Sequence, residues 1–397
     1  MGSSPSLTTA VRSGRWTGRP RRSGSDWNCL GGGLAMLRRF LILAVLLGGL
    51  GAAPVQMVTA ADSSLVAAAC PPGTTPLKPV TTRVRGDGGT DTYYDVEHDG
   101  SLTDVPIPPV GFDPLGATDA QLASYGLPPR PTDTAELVSW ATDMASWKRN
   151  PDPGLCATDY RADALLRASD GTDSIVADES SYNWAGYIAE RSTNTYVAVQ
   201  GDFHQPSSLS TSCSGSTLAS WTGFGGFYTQ KLIQAGTAYL AGSSTPVAWY
   251  EYLGPNGAGI NLTVMSGVTV RAGDRIHTYE VIQTSTGQTT FYVADNTTGT
   301  SKSVIKTLSV STYYDGRTDE FIDERLTYNG SLTPLRNFGT NGWYNTKVYT
   351  KDGTWHSLGS QTEVQVNMYS EFTGYLMAYP YTMSSTTTFT DDWVRCN

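Results

Sequence analysis

Residues 319–324 read D-E-F-I-D-E and are followed by Arg325, in a chain of 397 residues of which only 16% are charged. Carboxylates crowd together to hold a metal, to exchange protons with a substrate, or to keep a strand edge soluble. As a regular strand the run puts Glu320, Ile322 and Glu324 on one face and Phe321, Asp323 and Arg325 on the other. Four residues at a rise of about 3.3 Å separate the two glutamates by roughly 13 Å. Paired acids of glycosidases sit closer, at about 5 to 5.5 Å when retaining and about 6.5 to 9.5 Å when inverting. The spacing therefore favours one glutamate working with a partner from elsewhere. Taken alone, Glu320, Asp323 and Arg325 read as surface or ion-pair residues, and Glu324 equally as a solvated strand acid.

Other chemistries lack their residues. G-x-S-x-G does not occur, and the four histidines are far apart in sequence. His-x-x-x-His and Cys-x-x-Cys spacings, Walker loops, dinucleotide fingerprints and the D-T-G or D-S-G triplets of pepsin-like enzymes are missing as well. No metal and no cofactor is expected. A net charge of -9 leaves no basic surface for a nucleic-acid partner.

The elements that must position the acids begin well inside the chain. Residues 1–35 read as a disordered leader or an upstream-extended start, rich in Arg, Gly and Ser. Residues 36–61 read as a signal peptide: two arginines, a short apolar run, then small residues around Ala60. That run is shorter than the roughly 20 residues of a spanning helix, so a secreted, extracellular protein with no membrane partner after cleavage is expected. Cys29 leaves with the leader, and Cys70, Cys156, Cys213 and Cys396 remain. An even count outside the cell implies two disulfides. Of three pairings, Cys70 with Cys156 and Cys213 with Cys396 keeps each bond inside one region.

Residues 62–177 are rich in Pro and Gly and read as a propeptide or accessory region without a large core. One helix stands out there: Asp133 can cap it, and Leu137, Trp140, Ala141, Met144 and Trp147 share a face that needs a partner. From 178 to 397 short runs rich in Tyr, Thr, Val and Trp alternate with turn residues, as at 183–190, 195–203, 248–252, 289–295 and 363–369. The fold class is all-β: a two-sheet antiparallel β-sandwich of concanavalin-like or jelly-roll type, preceded by a Pro-rich, partly helical pro-region.

Five motifs stand in one order along that domain. They are N-W-A-G at 183–186, S-W-T-G-F-G-G at 220–226, L-I-Q-A-G at 232–236, A-W-Y-E-Y at 248–252 and D-E-F-I-D-E at 319–324. In this order they resemble the glutamic peptidases, the eqolisins or scytalidopepsin-type pepstatin-insensitive acid peptidases. The resemblance covers about 178–397 and is weakest after 326. It implies a glutamic endopeptidase with Gln234 and Glu324 as the catalytic pair, and with Trp221, Trp249 and Glu251 lining or supporting the cleft. Gly225 departs from the family pattern, which often has Asp there, and Asp323 and Arg325 replace usual neighbours of the catalytic glutamate.

The pair suits acid chemistry. Glutamate, with an ordinary pKa of about 4.3, can take a proton from water where histidine, near 6.5, is mostly charged. An amide does not titrate in this range, and it can donate to an oxyanion at any acidic pH. The implied function is secreted acid endopeptidase, acting as a monomer on protein or peptide substrates. A lectin-like carbohydrate-binding protein or glycoside hydrolase is the alternative, and a catalytically dead interaction domain a third reading that intact Gln and Glu positions disfavour.

Overall fold

Strands form here where β-branched and aromatic residues recur at every second position, because such a run can cover two surfaces at once. In the strand Trp184–Glu190, Tyr187 and Ala189 point to one core and Trp184 and Ile188 to another. A computed structural model describes residues 70–168, 179–207 and 214–397 of the chain. The leader, the signal segment and Cys213, and with it the expected Cys213–Cys396 bond, lie outside the described residues.

The antiparallel strands form two layers. Neighbours in the first run Leu376–Pro380, Thr362–Tyr369, Trp184–Glu190, Thr318–Glu324, Leu218–Gly225, Leu232–Tyr239, Val247–Leu253 and Thr263–Met265. The second runs Phe389–Trp393, Thr340–Thr350, Tyr196–His204, Arg275–Gln283, Gln288–Asp295 and Thr300–Thr307. Phe389–Trp393 also pairs with Leu376–Pro380, so one ladder passes from layer to layer. Between the layers lie Phe224, Ile233, Tyr250, Tyr252 and Phe321 from the first, against Phe203, Ile276, Phe291, Val304 and Trp343 from the second. This is the expected sandwich.

The Pro-rich stretch has no separate core; its apolar residues join the sandwich. Its strand Leu155–Ala157 extends the first sheet beside Thr263–Met265, and Thr103–Ile107 extends the second beside Thr300–Thr307. The expected helix spans Thr134–Ser146, with Asp133 Oδ1 accepting from the backbone of Ala135 and Glu136 at 2.9 and 3.1 Å. Such a cap contributes about 1 kcal/mol. The partner of its apolar face is the outer surface of the second sheet, where Trp140 and Met144 meet Ala198, Tyr279, Tyr292 and Ala294. Ion pairs from Asp143 to Arg275 and from Glu136 to Lys347 flank that contact. Cys70 and Cys156 are bonded, as their shared region implied. Among the described residues no helix is long and apolar enough to cross a membrane.

Candidate active site

Period-two alternation decides which side chains reach the outer face of the first sheet. On the Thr318–Glu324 strand, Phe321 and Asp323 turn toward the inter-sheet core, while Ile322 joins Trp184, Ile188, Trp221 and Trp249 on the outer face. Glu320 and Glu324 share the Ile322 face by the same alternation. Register then places the remaining groups. Glu320 stands opposite Gly223, Gly223 opposite Gln234, and Gln234 opposite Glu251, in one row across four strands. Gly223 makes that row feasible, since a Cβ there would come within 2.9 Å of the Gln234 Cβ and 2.6 Å of the Ile233 carbonyl. Gly225 has a local reason too: its φ of +92° and a Lys231 carbonyl 2.2 Å from any Cβ exclude the Asp expected at that position.

Glu324 is fully buried and receives an N–H on each oxygen, from Asn183 Nδ2 to Oε1 and from Trp221 Nε1 to Oε2, both at 2.9 Å. Trp221 is held for this by Trp184, whose ring meets it edge-on at 5.1 Å, a contact of about 0.5 to 1.5 kcal/mol beyond burial. Burial pushes the Glu324 carboxyl well above the ordinary range, and Asp163 and Glu251 push the same way, while the Asn183 and Trp221 donors oppose them. Gln234 Nε2 donates to the Ala162 carbonyl at 2.7 Å and to Glu251 Oε2 at 2.9 Å. Glu251 Oε2 also accepts from the Ala162 amide at 2.9 Å, and burial, then Asp163, raises Glu251 well above the usual carboxylate range. Gln234 Oε1 has no partner among the described residues.

The structure thus brings Gln234 and Glu251 into direct contact, and Trp221 into contact with Glu324. Trp249 lies buried in the same outer-face cluster as Trp221. Glu320 and Asp323 correct the surface reading: both are fully buried. Asp323 sits in a polar knot with Ser220 Oγ, Asn341 Nδ2 and Trp343 Nε1, beside Asp391. Arg325 is ion-paired, with Glu371, as one of its two readings held. Sequence reasoning passed over Asn183 and the covering segment around Ala162. Asn183 was within reach, since it opens the first of the five motifs; Ala162 lies in a stretch whose composition says nothing of its place.

Residues 182–393 match the Peptidase A4 family. The chain belongs to that family. This A4 peptidase is a glutamic endopeptidase, a hydrolase of peptide bonds, which sets aside the carbohydrate-directed alternative. No curated protein matches it. Similar solved structures include scytalido-glutamic peptidase with a transition state analog inhibitor, 23% identical over 54% of this chain and 98% of that one, with a TM-score of 0.45. SCP-B, an eqolisin-family peptidase in complex with the tripeptide Ala-Ile-His, is 21% identical over 54% of this chain and 98% of that one, with a TM-score of 0.43. Aspergilloglutamic peptidase from Aspergillus niger is 22% identical over 45% and 99%, with a TM-score of 0.38.

Proposed function

We propose that this A4 peptidase cleaves proteins at acid pH through Glu324 as general base and then acid, with Gln234 as oxyanion donor. One observation carries the reading: Gln234 Nε2 is already aimed at a peptide carbonyl, that of Ala162, at 2.7 Å. A donor in that position stabilises the negative oxygen that forms when water adds to the carbonyl carbon. Loss of one such donor costs about 2.7 to 4 kcal/mol in comparable sites. Gln234 Oε1, without a protein partner among the described residues, is available to accept from the attacking water.

Glu324 supplies the proton traffic. It takes a proton from water as the carbonyl is attacked and returns it to the leaving nitrogen. Only the ionised form can take that proton, and here two effects compete. Burial under the Ala162 segment favours the neutral acid, whereas the two N–H donors from Asn183 and Trp221 favour the carboxylate. Entry of water with a substrate weakens the burial effect and shifts that balance toward the carboxylate. Glu251 holds Gln234 in place: as the accepting partner of Nε2 it fixes which end of the amide faces the carbonyl.

We place this activity outside the cell. The apolar segment at 36–61, the Cys70–Cys156 disulfide and the dearth of basic charge are consistent with export and with peptide substrates. The test is digestion of a denatured protein from about pH 2 to 7, with and without pepstatin, by the wild type and by Glu324→Gln. The reading expects acid-dependent proteolysis that pepstatin leaves intact and that Glu324→Gln lacks. Proteolysis undiminished in Glu324→Gln overturns it.

A further inference from the structure

Only Arg325 and Leu326 separate Glu324 from a hairpin, Thr327–Tyr328 against Ser331–Leu332, turned by Asn329 and Gly330. Both turn residues have positive φ, 49° and 76°, as the tightest hairpin turn requires, and Asn-Gly is the pair best suited to it. Two strands of this length make a weak ladder by themselves. The base of the hairpin is tied to the first sheet, where Thr217 Oγ1 accepts from the Leu326 amide at 2.8 Å, and Thr333 Oγ1 donates to the Leu326 carbonyl at 2.8 Å. The outer edge of Thr327–Tyr328 is completed by a third strand, Tyr160–Arg161, with Thr327 opposite Arg161 and Tyr328 opposite Tyr160. The next residue is Ala162, whose carbonyl accepts from Gln234 Nε2 at 2.7 Å and whose amide donates to Glu251. One peptide thus runs from the hairpin edge to the oxyanion donor. Pairing along an edge grips main chain of any sequence, and choice among sequences falls to the side-chain slots beside it.

We propose that the 327–332 hairpin reads protein substrates on the N-terminal side of the cut, and that Tyr328 selects an aromatic side chain, tyrosine above all, two residues before the one whose carbonyl is attacked. The inference rests on the Glu324 and Gln234 reading above, which puts a substrate carbonyl where the Ala162 carbonyl lies. Counting back from Ala162, the selected position is that of Tyr160. Its ring lies 4.7 Å from the Tyr328 ring, tilted by 36°. It belongs to the outer-face cluster that includes Leu240 and Leu262, and the Ala241 backbone hydrogen-bonds its hydroxyl. Tyr160 is 8% exposed and Tyr328 42% exposed, so Tyr328 forms the solvent side of a slot that the other ring fills. A small side chain leaves that slot empty, and a charged one loses its water there without a partner. Phenylalanine fills it but gives the Ala241 backbone no hydroxyl, so it ranks below tyrosine. The hairpin is also well placed to set register. A ring seated under Tyr328 fixes which carbonyl reaches Gln234, because a slip of one residue along the edge turns every side chain to the opposite face.

The experiment gives the enzyme, expressed as the full-length chain and held at acid pH, a denatured protein whose cut sites are read by mass spectrometry. A series of synthetic peptides then varies the one position among Tyr, Phe, Leu, Ala and Lys. Tyrosine and phenylalanine should be enriched two residues before the residue that supplies the cleaved carbonyl. The Tyr peptide should exceed the Ala peptide in kcat/KM by about 10-fold, with Phe between them. Tyr328→Ala, checked by circular dichroism, should bring the Tyr peptide down to the Ala peptide and leave cleavage of the Ala peptide unchanged. Tyr328→Phe should keep the aromatic preference. A hairpin that merely supports the fold would instead lower all peptides by one factor, and that result overturns the inference. Glu324-dependent cleavage with no aromatic enrichment at this position in the wild-type profile overturns it too, whatever the variants do, and leaves the Glu324 and Gln234 reading standing. Cleavage that persists in Glu324→Gln overturns the reading on which the inference rests.

Discussion

Glu320 and Glu324 are the same residue type on one face of one strand, both fully buried and both pushed by burial well above the ordinary carboxylate range. Their surroundings differ. Glu324 has an N–H aimed at each oxygen, from side chains on two other strands or their approaches. Glu320 stands in register with Ile188 on one side and Gly223 on the other, with Thr318 and the Gly225 backbone as its polar neighbours. Burial penalises charge at both ends of the strand alike, so it does not mark a catalytic acid. Donors placed to hold the charge when it forms do.

The largest effect expected from this contrast is in Glu324→Gln, which keeps the shape and removes the proton acceptor. Turnover should fall by at least about 100-fold, read as kcat on one protein substrate with circular dichroism unchanged. Were Glu320→Gln the inactive variant instead, the roles of the two ends of the strand would be exchanged. Next comes Gln234→Ala, expected to lower kcat by about 100- to 1,000-fold with little change in KM, because the oxyanion contact forms only in the transition state. A rise in KM alone would make Gln234 a substrate-binding residue.

Trp221→Phe sharpens the comparison by taking away one of the two donors that Glu320 lacks. A hydrogen bond to a charged group contributes about 1.5 to 3 kcal/mol, equivalent to about one to two pH units. Removing a bond that favours the carboxylate raises its pKa, so the acid limb of the kcat/KM profile should move to higher pH by about that amount. An unmoved limb would mean that Trp221 acts through packing alone.

Glu320→Gln should have the smallest effect on activity, leaving most of it intact, and a distinct one on stability. Glu251, Glu280, Asp319, Glu320, Glu324 and Asp391 are all held above the usual range, chiefly by burial. Between the unfolded values near pH 4 and these raised ones, the native state keeps protons that the unfolded chain has released. Stability therefore falls as pH rises through that window, with a slope of up to about 1.4 kcal/mol per pH unit for each such group. Thermal melts should show the wild type most stable at acid pH, and Glu320→Gln should match it there and melt higher at neutral pH. A wild type more stable at neutral than at acid pH would break this account.

Much of the fold was legible because its signals are local. The strands quoted from sequence lie within a residue or two of the observed ones, and Asp133 caps the helix it was expected to cap. Asp323 and Glu320 misled, since a carboxylate in isolation reads as a surface group and only neighbours reveal otherwise. The five ordered motifs pointed to the face, because each holds a residue that faces Gln234 or Glu324 or makes room for one of them. Cys70–Cys156 followed from cysteine arithmetic and region.

By itself the sequence determined which side chains share a face, that Gln234 and Glu324 have the chemistry for acid proton transfer and oxyanion binding, and that the domain is a sandwich. These follow from the period of two along a strand and from the groups the side chains carry. Only the tertiary structure decided that Gly223 stands between Gln234 and Glu320, that Asn183 and Trp221 both meet Glu324, and that Ala162 lies on Gln234. Those facts depend on strand order and register among segments far apart in the chain, chosen by the burial of whole faces against each other, and no local pattern encodes them.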